Sequence, residues 1–431
     1  MKILVVGNGG REHTLAWKLA NDSVHPEIYC TPGNAGTAEV GTNLNFGATD
    51  LDGIQGWCAE NRPDLVVIGP EAPLCAGLTD LLEADGIRVF GPNKAAAEME
   101  GSKQFAKEIM KAGGVPTSAY ETFTNPDEAC AYVRERGAPI VIKADGLAAG
   151  KGVTVAETVQ QAEAAIKDAL EGNAFGDAGS RVVIEDFLVG EEASILALID
   201  GENVVMLASS QDHKRIFEKD EGPNTGGMGA YSPASIVTDA VLEKVKTEVY
   251  GRTLAELKKR GIIYKGVLYA GLMIENDQPS VVEFNCRFGD PETQCVLARW
   301  DGDMLPAING VIDGNLSEEM ISWKDEFSAC VVMVAGGYPG DYPTGDEIQN
   351  LDKANAVSDT VVFHAGTALK GDNVVTAGGR VLGVTSLGLD VEDALSKAYI
   401  AVETISYQGA FYRNDIAHRE LKRLGIDFNN E

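Results

Sequence analysis

The sequence predicts an α/β protein that begins with a doubly wound parallel sheet and ends in a strand-rich region. Apolar runs near the N-terminus each end in a Gly/Pro/Asn break, as in "KILVVGNGG", "IYCTPGNAG", "LVVIGPEAPL" and "IRVFGPN". Helical patterns such as "GLTDLLEADG" lie between these runs. Strands that alternate with helices form parallel sheets, so we expect the four breaks to lie together at the carboxyl edge of one sheet.

The middle of the chain predicts helices mixed with antiparallel strands. Ser102 should cap a helix that ends at Gly113, and the segment from about 121 to 190 has the pattern of a compact α/β unit. A longer helix is expected over roughly 237–260. The turn in "YAGLMIENDQPSVVEFN" then predicts an antiparallel hairpin.

Strand patterns return near the C-terminus in "SACVVMVAGG", "VVFHAG" and "RVLGVTSLG", followed by a helix over 390–405. We therefore divide the chain into residues 1–101, 102–322 and 323–431.

Charge and cysteine content exclude several classes of protein. The 431 residues carry a formal net charge of −29, which repels nucleic acid and anionic membranes. The seven cysteines show no C-x-x-C pair, which is typical of reduced thiols in a cytoplasmic protein. No apolar stretch has the length of a membrane span or of a secretory signal.

The motif "VVEFNCRFGDPE" offers oxygen ligands on one face of a strand. Alternate side chains share a face, so Glu283, Asn285 and Arg287 should point the same way. A carboxylate and an amide oxygen suit a magnesium ion held against nucleotide phosphates, and an arginine can clamp an anion bidentately. The alternative is a solvated polar strand face.

The stretch "VIKADGLAAGKGV" has the composition of a phosphate cradle but not the spacing of the common phosphate loop. Lys143 ends an apolar strand, and Gly146, Gly150 and Gly152 allow backbone amides to approach anionic oxygens. Lys151 rides on the same turn. The alternative is a plain hairpin with two exposed lysines.

Two further motifs suggest nucleotide or phosphate contacts. "EDFLVGEE" can present backbone groups to an adenine ring and place Glu191 near ribose hydroxyls. "GNGGREH" follows the first strand, and its amides can hold a phosphate at a helix N-terminus. Glu12 stands where a dinucleotide fingerprint needs glycine, so a nicotinamide site is disfavoured. His213 is a candidate general base, although isolated histidines more often serve as hydrogen-bonding residues.

Taken in order, the motifs resemble the ATP-grasp ligases, and within them the phosphoribosylamine–glycine ligase family. "GNGGREH", "PGNAGT", "GPEAPL", "GSKxFAK", "KADGLAAGKGV", "QDHKR", "NTGGMGAYSP" and "EFNCRFGDPE" span residues 7 to 292 in the family's order. The resemblance implies an N-terminal α/β domain, ATP-grasp domains with a mobile lid at about 121–190, and a strand-rich C-terminal domain. The lid loop would fold over the phosphates.

The resemblance also implies an activity. Glycine would be phosphorylated by ATP to glycyl phosphate, and the amine of 5-phosphoribosylamine would displace phosphate to give glycinamide ribonucleotide for purine biosynthesis. The implied cofactors are ATP and Mg²⁺ or Mn²⁺. A cytoplasmic enzyme is implied, acting as a monomer on these small molecules without nucleic acid or membrane.

The site residues that the resemblance implies fall into four groups. The catalytic group is Arg287, Asp212 and Lys214. The nucleotide group is Lys103, Lys143, Gly146, Gly150, Lys151, Gly152, Glu185, Leu188 and Glu191. The substrate group is Gly9, Gly10, Arg11, Gly69, Pro70, Glu71, Gly226, Gly227 and Met228. The metal ligands are Glu283 and Asn285, and Glu275 lies too far along its strand to be a clear third.

Three alternatives remain at the level of the sequence. An ATP-grasp enzyme of another substrate would lack "RFGDPETQ" and the pair "QDHKR" and "NTGGMGAYSP". A dinucleotide-dependent oxidoreductase is disfavoured by Glu12. A nucleotide sensor without turnover is disfavoured by the complete set of Glu283, Asn285 and Arg287.

Overall fold

The N-terminal region is a five-stranded parallel sheet in a computed structural model that describes residues 1–147, 152–172 and 179–426. Its strands, in the order β3-β2-β1-β4-β5, are β1 (Lys2–Gly7), β2 (Glu27–Pro32), β3 (Thr42–Asn43), β4 (Leu65–Ile68) and β5 (Val89–Phe90). Its helices are α1 (Gly10–Ala20), α2 (Thr37–Val40), α3 (Leu51–Asn61), α4 (Glu71–Ala76), α5 (Leu78–Ala84) and α6 (Lys94–Gly101). Every strand pair is parallel, which confirms the doubly wound sheet with its breaks at one edge.

A second sheet with its own apolar core follows α7 (Lys103–Gly113). Its strands, in the order β6-β9-β7-β8, are β6 (Tyr120–Phe123), β7 (Ile140–Ala144), β8 (Val153–Ala156) and β9 (Val182–Asp186). Helices α8 (Pro126–Arg136) and α9 (Val159–Leu170) pack on it. We call residues 120–186 the lid unit. Ser102 caps α7 by accepting the N–H of Phe105, and Gly114 ends that helix in the left-handed conformation.

The third sheet is antiparallel and lies opposite the lid unit. Its order is β11-β10-β16-β17, with β10 (Glu191–Asp200), β11 (Val204–Met206), β16 (Lys265–Glu275) and β17 (Gln278–Asn285). Asn276 and Asp277 join β16 to β17 with φ of 50° and 56°, the geometry of a two-residue hairpin turn. The helix expected over 237–260 consists of α10 (Asp239–Lys244), a π-helical segment Val245–Gly251 and α11 (Arg252–Lys259).

The fourth sheet joins the middle of the chain to its C-terminal part. Its order is β12-β15-β20-β24-β21, with β12 (Gln211–Asp212), β15 (Gly229–Ser232), β20 (Phe327–Val334), β21 (Thr360–His364) and β24 (Arg380–Gly388). Thus β12 and β15, which precede residue 322, share one sheet with three strands that follow it, and the pair β15 and β20 connects the two sets.

Smaller elements complete the described chain. Three short two-stranded ladders pair β13 (Arg215–Phe217) with β14 (Glu221–Asn224), β18 (Trp300–Asp301) with β19 (Ser322–Trp323), and β22 (Thr367–Lys370) with β23 (Asn373–Thr376). The remaining helices are α12 (Glu292–Arg299), α13 (Leu305–Asp313), α14 (Leu351–Asn355), α15 (Val391–Thr404) and α16 (His418–Leu424). Among these described elements, no helix is long and apolar enough to cross a membrane.

Two buried histidines hold the C-terminal part against the rest of the molecule. His13 of α1 accepts the backbone N–H of His364 at Nδ1 (2.8 Å), and His213 accepts the backbone N–H of Ala417 at Nε2 (3.0 Å). Only the neutral ring can accept these hydrogen bonds. Burial lowers the pKa of each ring to about 3, with a smaller contribution from His364 at His13 and from Arg413 at His213. His213 is therefore a packing residue rather than the general base considered from the sequence.

These two histidines predict a loss of stability in mild acid. Their pKa values are lower in the folded than in the unfolded chain, so stability is complete above about pH 6.5 and falls as the pH drops towards 3. At pH 5 each should cost about 2 kcal/mol of the free energy of unfolding. His213→Gln keeps an acceptor at the same place but does not take up a proton. We expect this variant to lose less stability than the unmodified protein between pH 7.5 and pH 5 in urea denaturation.

The matched control is His25→Asn, because His25 is exposed. Its pH dependence should equal that of the unmodified protein. An unchanged pH dependence in His213→Gln would contradict the role given to the neutral ring.

Candidate active site

One cavity of about 460 Å³ lies where the lid unit, the third sheet, the loops of the first sheet and strand β24 meet. One of its walls is an apolar slot. The slot is lined by Val141 of β7, Val155 of β8, Met273 of β16 and Leu188 after β9. A narrow apolar space between two antiparallel sheets fits a flat heterocycle, and Leu188 lies where the sequence placed it.

Four lysines line the same cavity, and two of them, Lys103 and Lys143, lie beside the glycine-rich loop. Lys103, the first residue of α7, donates to the carbonyl of Gly146 (2.9 Å) and so ties the glycine-rich loop to that helix. Lys143 donates to the carbonyl of Val282 (2.8 Å), and its Nζ lies 2.9 Å from Glu185 Oε1. Burial lowers the pKa of Lys103. Both ammonium groups line the cavity, where they can meet an anionic ligand.

Strand β17 presents Glu283 and Asn285 to the cavity, as strand alternation requires. Burial raises the pKa of Glu283, but Lys214, Lys143 and Lys103 outweigh burial and hold the pKa below its usual range. The carboxylate is thus ionised and available as a ligand.

These two residues fit a divalent cation that shares its shell with other ligands. Within the described ranges, no group of three or more His, Cys, Asp or Glu side chains is placed to hold a metal ion. Glu275 is exposed at the hairpin end, and the residue of β16 paired with Glu283 is Gly271. One carboxylate and one amide oxygen leave most of the shell to phosphate oxygens and water, as Mg²⁺ prefers.

A buried acid, Asp212 of β12, and a half-buried lysine, Lys214, lie two residues apart in the chain. Burial raises the pKa of Asp212 to about 7, with Glu292 and Glu192 adding to it and Lys214 opposing it. Lys214 Nζ lies 2.8 Å from Glu192 Oε2, and these neighbouring acids raise its pKa despite burial. Asp212 can therefore exchange a proton near neutral pH, whereas Lys214 stays charged.

Arg287 lines the cavity, and three of its five N–H donors bind groups of the protein itself. Its Nη2 donates to Glu100 Oε1 (2.8 Å), its Nε to Glu71 Oε2 (3.2 Å) and its Nη1 to the carbonyl of Phe288 (3.3 Å). Two carboxylates neutralise its single charge. Two of its five N–H donors have no partner among the described contacts, so the hypothesis that Arg287 clamps a substrate anion stays a prediction, and Glu71 is engaged in the same cluster.

Arg380, which the sequence-based prediction omitted, is a further guanidinium group at the cavity that has donors without a described partner. Its Nη1 donates to the carbonyls of Gly226 (2.7 Å) and Asp290 (2.8 Å). Among the described contacts, its Nε and Nη2 have no hydrogen-bond partner, and the residue lines the cavity with Arg11. Burial raises the pKa of Asp290, but Arg380 and Arg11 outweigh it and lower that pKa overall. The only sequence signal was an arginine after a Gly-Gly pair at the start of a strand.

The glycine turn after β1 is filled by the protein's own carboxylate. Gly9 donates its N–H to Glu12 Oε2 (2.6 Å). A Cβ at Gly7 would lie 2.4 Å from Glu12 Cγ, and a Cβ at Gly69 would lie 2.1 Å from Glu12 Oε1. Glu12 thus occupies the space in which a dinucleotide would approach the turn, which argues against a nicotinamide site. The amide of Arg11 donates weakly to Asp290 Oδ2 (3.3 Å).

Most of the residues predicted from the sequence line the cavity. These are Arg11, Glu71, Lys103, Lys143, Gly146, Gly152, Glu185, Leu188, Asp212, Lys214, Gly226, Glu283, Asn285 and Arg287. The remaining described residues of the prediction are not among the lining residues: Gly9, Gly10, Gly69, Pro70, Glu191, Gly227 and Met228. Gly150 and Lys151 lie outside the described residues.

Two of these predictions need correction. Glu191 binds Arg423 of α16 (2.7 and 2.8 Å) and accepts from Gln211 (2.9 Å), while its neighbour Glu192 lines the cavity. Side chains alternate along β10, so only one of the two acids can face inwards. Met228 is fully buried in the core between β15 and β20, which leaves no surface for a substrate.

Family comparisons agree with this architecture. The chain matches the models of the phosphoribosylglycinamide synthetase N domain (residues 1–100), ATP-grasp (A) domain (residues 101–293) and C domain (residues 328–419). A phosphoribosylamine–glycine ligase from Escherichia coli O6:H1 is 51% identical over 427 residues, covering 98% of this chain and 99% of the relative. One from Yersinia pestis is also 51% identical, covering 98% of this chain and 100% of the relative.

Solved structures show the same relationship. The crystal structure of a phosphoribosylamine–glycine ligase from Thermotoga maritima is 34% identical, with a TM-score of 0.85, and covers 97% of this chain and 100% of that chain. A biotin carboxylase from Campylobacter jejuni is 17% identical, with a TM-score of 0.72 over 98% of this chain and 95% of that chain, and shares the fold. The model matches, the full-length relatives and the Thermotoga structure agree, and the chain belongs to the phosphoribosylglycinamide synthetase family.

Proposed function

We propose that this chain ligates glycine to 5-phosphoribosylamine at the expense of ATP, forming glycinamide ribonucleotide, ADP and phosphate in purine biosynthesis. The observation that carries this proposal is the composition of the cavity described above. Its lining includes the apolar slot with Lys103 and Lys143, the pair Glu283 and Asn285, and the arginines Arg11 and Arg380. Such a cavity can hold a nucleotide and a second anionic substrate with their reacting groups between them. Full-length relatives named for this ligation support the same activity.

The reaction has two steps. A carboxylate oxygen of glycine attacks the γ-phosphorus of ATP, and the bond from that phosphorus to the bridging oxygen of ADP breaks. The amine of phosphoribosylamine then attacks the carbonyl carbon of glycyl phosphate, and phosphate leaves with its bonding electron pair. A carboxylate is a poor acyl donor, so phosphorylation supplies the leaving group. Positioning and neutralisation of charge provide most of the acceleration.

The chain's own residues have distinct parts in this scheme. Lys103 and Lys143 bind phosphate oxygens beside the slot. Asp212 accepts the proton that the attacking amine loses, because burial raises its pKa to about 7. Glu283 and Asn285 would hold Mg²⁺ or Mn²⁺, which supplies further neutralisation of phosphoryl oxygens when bound.

The substrate end needs a different assignment from that made on the sequence. Arg380 and Arg11 take the phosphate of the sugar through the nitrogens that have no described partner, Nε and Nη2 of Arg380 and Nη2 of Arg11. Arg380 also pairs with Asp290, and Arg11 with Glu12. Arg287 fixes Glu71 and Glu100 and so shapes the wall between the two substrates. Gly226 contributes through the carbonyl that orients Arg380.

We also propose the setting of the reaction and the limits of the domains. The chain would act as a monomer, and its seven thiols are free, which supports the reducing cytoplasm. The acidic surface supports small-molecule partners rather than nucleic acid or membranes. Residues 1–101, 102–322 and 323–431 remain the proposed domains. Strands β12 and β15 of the second domain lie in the main sheet of the third domain.

The proposed activity is tested by measuring phosphate release from ATP. We expect release to require both glycine and freshly generated phosphoribosylamine, and to produce glycinamide ribonucleotide in equal amount. Alanine or serine in place of glycine should give no product. Phosphate release that continues without phosphoribosylamine would defeat the assignment.

Glu283→Gln tests the metal ligand. The substitution removes one anionic ligand while leaving the apolar face of β17 intact, so folding should be preserved. We expect turnover to fall by about 100-fold and the Mg²⁺ requirement to rise, the scale of a lost electrostatic contact in a transition state. Steady-state rates across a magnesium titration measure both effects.

The matched control for that variant is Glu275→Gln, an exposed glutamate on the paired strand. It should behave as the unmodified protein across the same titration. Equal magnesium curves for Glu283→Gln and Glu275→Gln would show that Glu283 is not a ligand.

Arg380→Lys tests the assignment of the substrate end. Lysine keeps the charge but loses the planar fork whose two free donors face the cavity. We expect the KM for phosphoribosylamine to rise about 10- to 100-fold, as for a lost charge-assisted hydrogen bond, with little change in the KM for ATP. Arg88→Lys, in an exposed ion pair with Asp313, is the control. A KM that rises for glycine instead would assign Arg380 to the amino-acid carboxylate.

A further inference from the structure

Lys107 is a buried lysine that the scheme above does not use. It lies on α7, one turn after Lys103, and only 2% of its surface is exposed. Its Nζ donates to Thr117 Oγ1 (2.8 Å) and Ser118 Oγ (2.8 Å) and lies 2.9 Å from Glu185 Oε2. An ammonium group has three N–H donors, so all three are used. Lys107 has no donor left for a ligand.

Glu185 stands between two lysines that hold it differently. Its Oε2 faces Lys107 and also accepts from Ser118 Oγ (2.7 Å). Its Oε1 lies 2.9 Å from Lys143 Nζ, yet it has no aligned hydrogen bond within the part of the chain that the structure describes. The directed hydrogen bond of Lys143 goes to the carbonyl of Val282 instead. Both lysines therefore lie at ion-pair distance from Glu185 without an aligned hydrogen bond. Lys107 differs from Lys143 in its other contacts, since two of its donors are held by hydroxyl groups, whereas one donor of Lys143 is held by a carbonyl.

The charges in this cluster favour an anionic ligand. Burial raises the pKa of Glu185, but Lys143 and Lys107 outweigh it, so the carboxylate is ionised. Burial lowers the pKa of Lys107 to about 8, with Glu185 opposing it, so the lysine is largely protonated at neutral pH. One carboxylate between two ammonium groups leaves one positive charge in excess. Lys107 spends two donors on hydroxyl groups and faces Glu185 with the third, whereas Lys143 makes one hydrogen bond and keeps a donor beyond Glu185, so the excess charge is available at Lys143.

The cluster also joins the lid unit to the rest of the protein. Lys107 belongs to α7, whereas Glu185 belongs to β9 of the lid unit. Thr117 passes the contact on by donating to the carbonyl of Val281 on β17 (2.6 Å). These contacts between α7, the lid unit and β17 would stabilise the fold even if the cavity bound no nucleotide. A test must therefore separate an effect on folding from an effect on nucleotide binding.

We infer that Lys107 is a positioning residue for the nucleotide: by neutralising Glu185 from behind, it leaves Lys143 free to contact a phosphate group. Without Lys107, the buried carboxylate of Glu185 would have Lys143 as its single cationic partner. An ion pair out of water is strong, so Lys143 would be held against Glu185 and withdrawn from the ligand. The inference rests on the proposed function, which places nucleotide phosphates at Lys143.

The experiment compares nucleotides with and without phosphate on the full chain. In Lys107→Met, we expect the dissociation constant for ADP, measured by titration calorimetry, to rise about 10- to 100-fold, the size of one lost charge-assisted contact. The dissociation constant for adenosine, measured by competition, should stay within about twofold, because the apolar slot is untouched. A role of Lys107 in folding alone would weaken both ligands equally, and that result would overturn the inference.

A second variant restores the free lysine. Adding Glu185→Gln to Lys107→Met removes the charge that would hold Lys143, so ADP affinity should return most of the way to that of the unmodified protein. Lys107→Arg keeps the charge and should lose less affinity than Lys107→Met. A double variant as weak as Lys107→Met would overturn the inference even if the single variant were poorly folded, because the restoring effect is the specific claim.

The matched control is Lys111→Met, one turn further along α7. Lys111 is exposed, and its ammonium lies 5.6 Å from the centre of the Tyr120 ring, much as that of Lys107 does at 5.7 Å. It makes no recorded contact with Glu185 and should leave ADP affinity unchanged. An unmodified protein that binds neither ADP nor ATP would sink the proposed function itself. If the unmodified protein binds ADP and Lys107→Met binds it equally well, only the inference about Lys107 is contradicted.

Discussion

The pairing of buried charges is the constraint on which the rest of the site depends. Carboxylates outnumber cationic side chains in the cavity wall, and a charge removed from water without a partner costs several kcal/mol. Most of these groups are therefore locked together, as Arg287 is with Glu71 and Glu100. A charged side chain in the cavity wall that lacks such a partner is therefore a candidate for contact with a ligand. Glu283 has no ion pair among the described contacts, although Lys214, Lys143 and Lys103 lie near enough to lower its pKa.

Those pairs also connect parts of the chain that are distant in sequence. Arg287 and Glu71 are 216 residues apart, and Arg380 reaches back 90 residues to the carbonyl of Asp290. Each pair joins a different region to the same cavity. The regions are held around the site by the groups that line it, so binding geometry and domain packing are set by one network rather than by two.

Features that depend on neighbouring residues could be predicted from the sequence, whereas contacts between residues distant in the chain could not. The hairpin at Asn276 and the cap at Ser102 could be predicted, because turns and caps depend on residues a few positions apart. The face shared by Glu283 and Asn285 followed from strand alternation. The commitment of Arg287 to internal acids could not be predicted, because its partners come from α4 and α6. For the same reason the sequence could not distinguish Glu191 from Glu192. Glu191 is bound by Arg423, which is distant in the chain.

The fourth sheet has a consequence for how the chain folds during synthesis. Strand β15 pairs with β20, so that Ala230 lies opposite Cys330. A ribosome that adds roughly 5–20 residues per second delivers the second strand several seconds after the first. Throughout that interval β15 has an unpaired edge, which is the kind of surface that invites contact with other nascent chains. The edge of β15 thus waits for its native partner until the last quarter of the polypeptide begins to emerge.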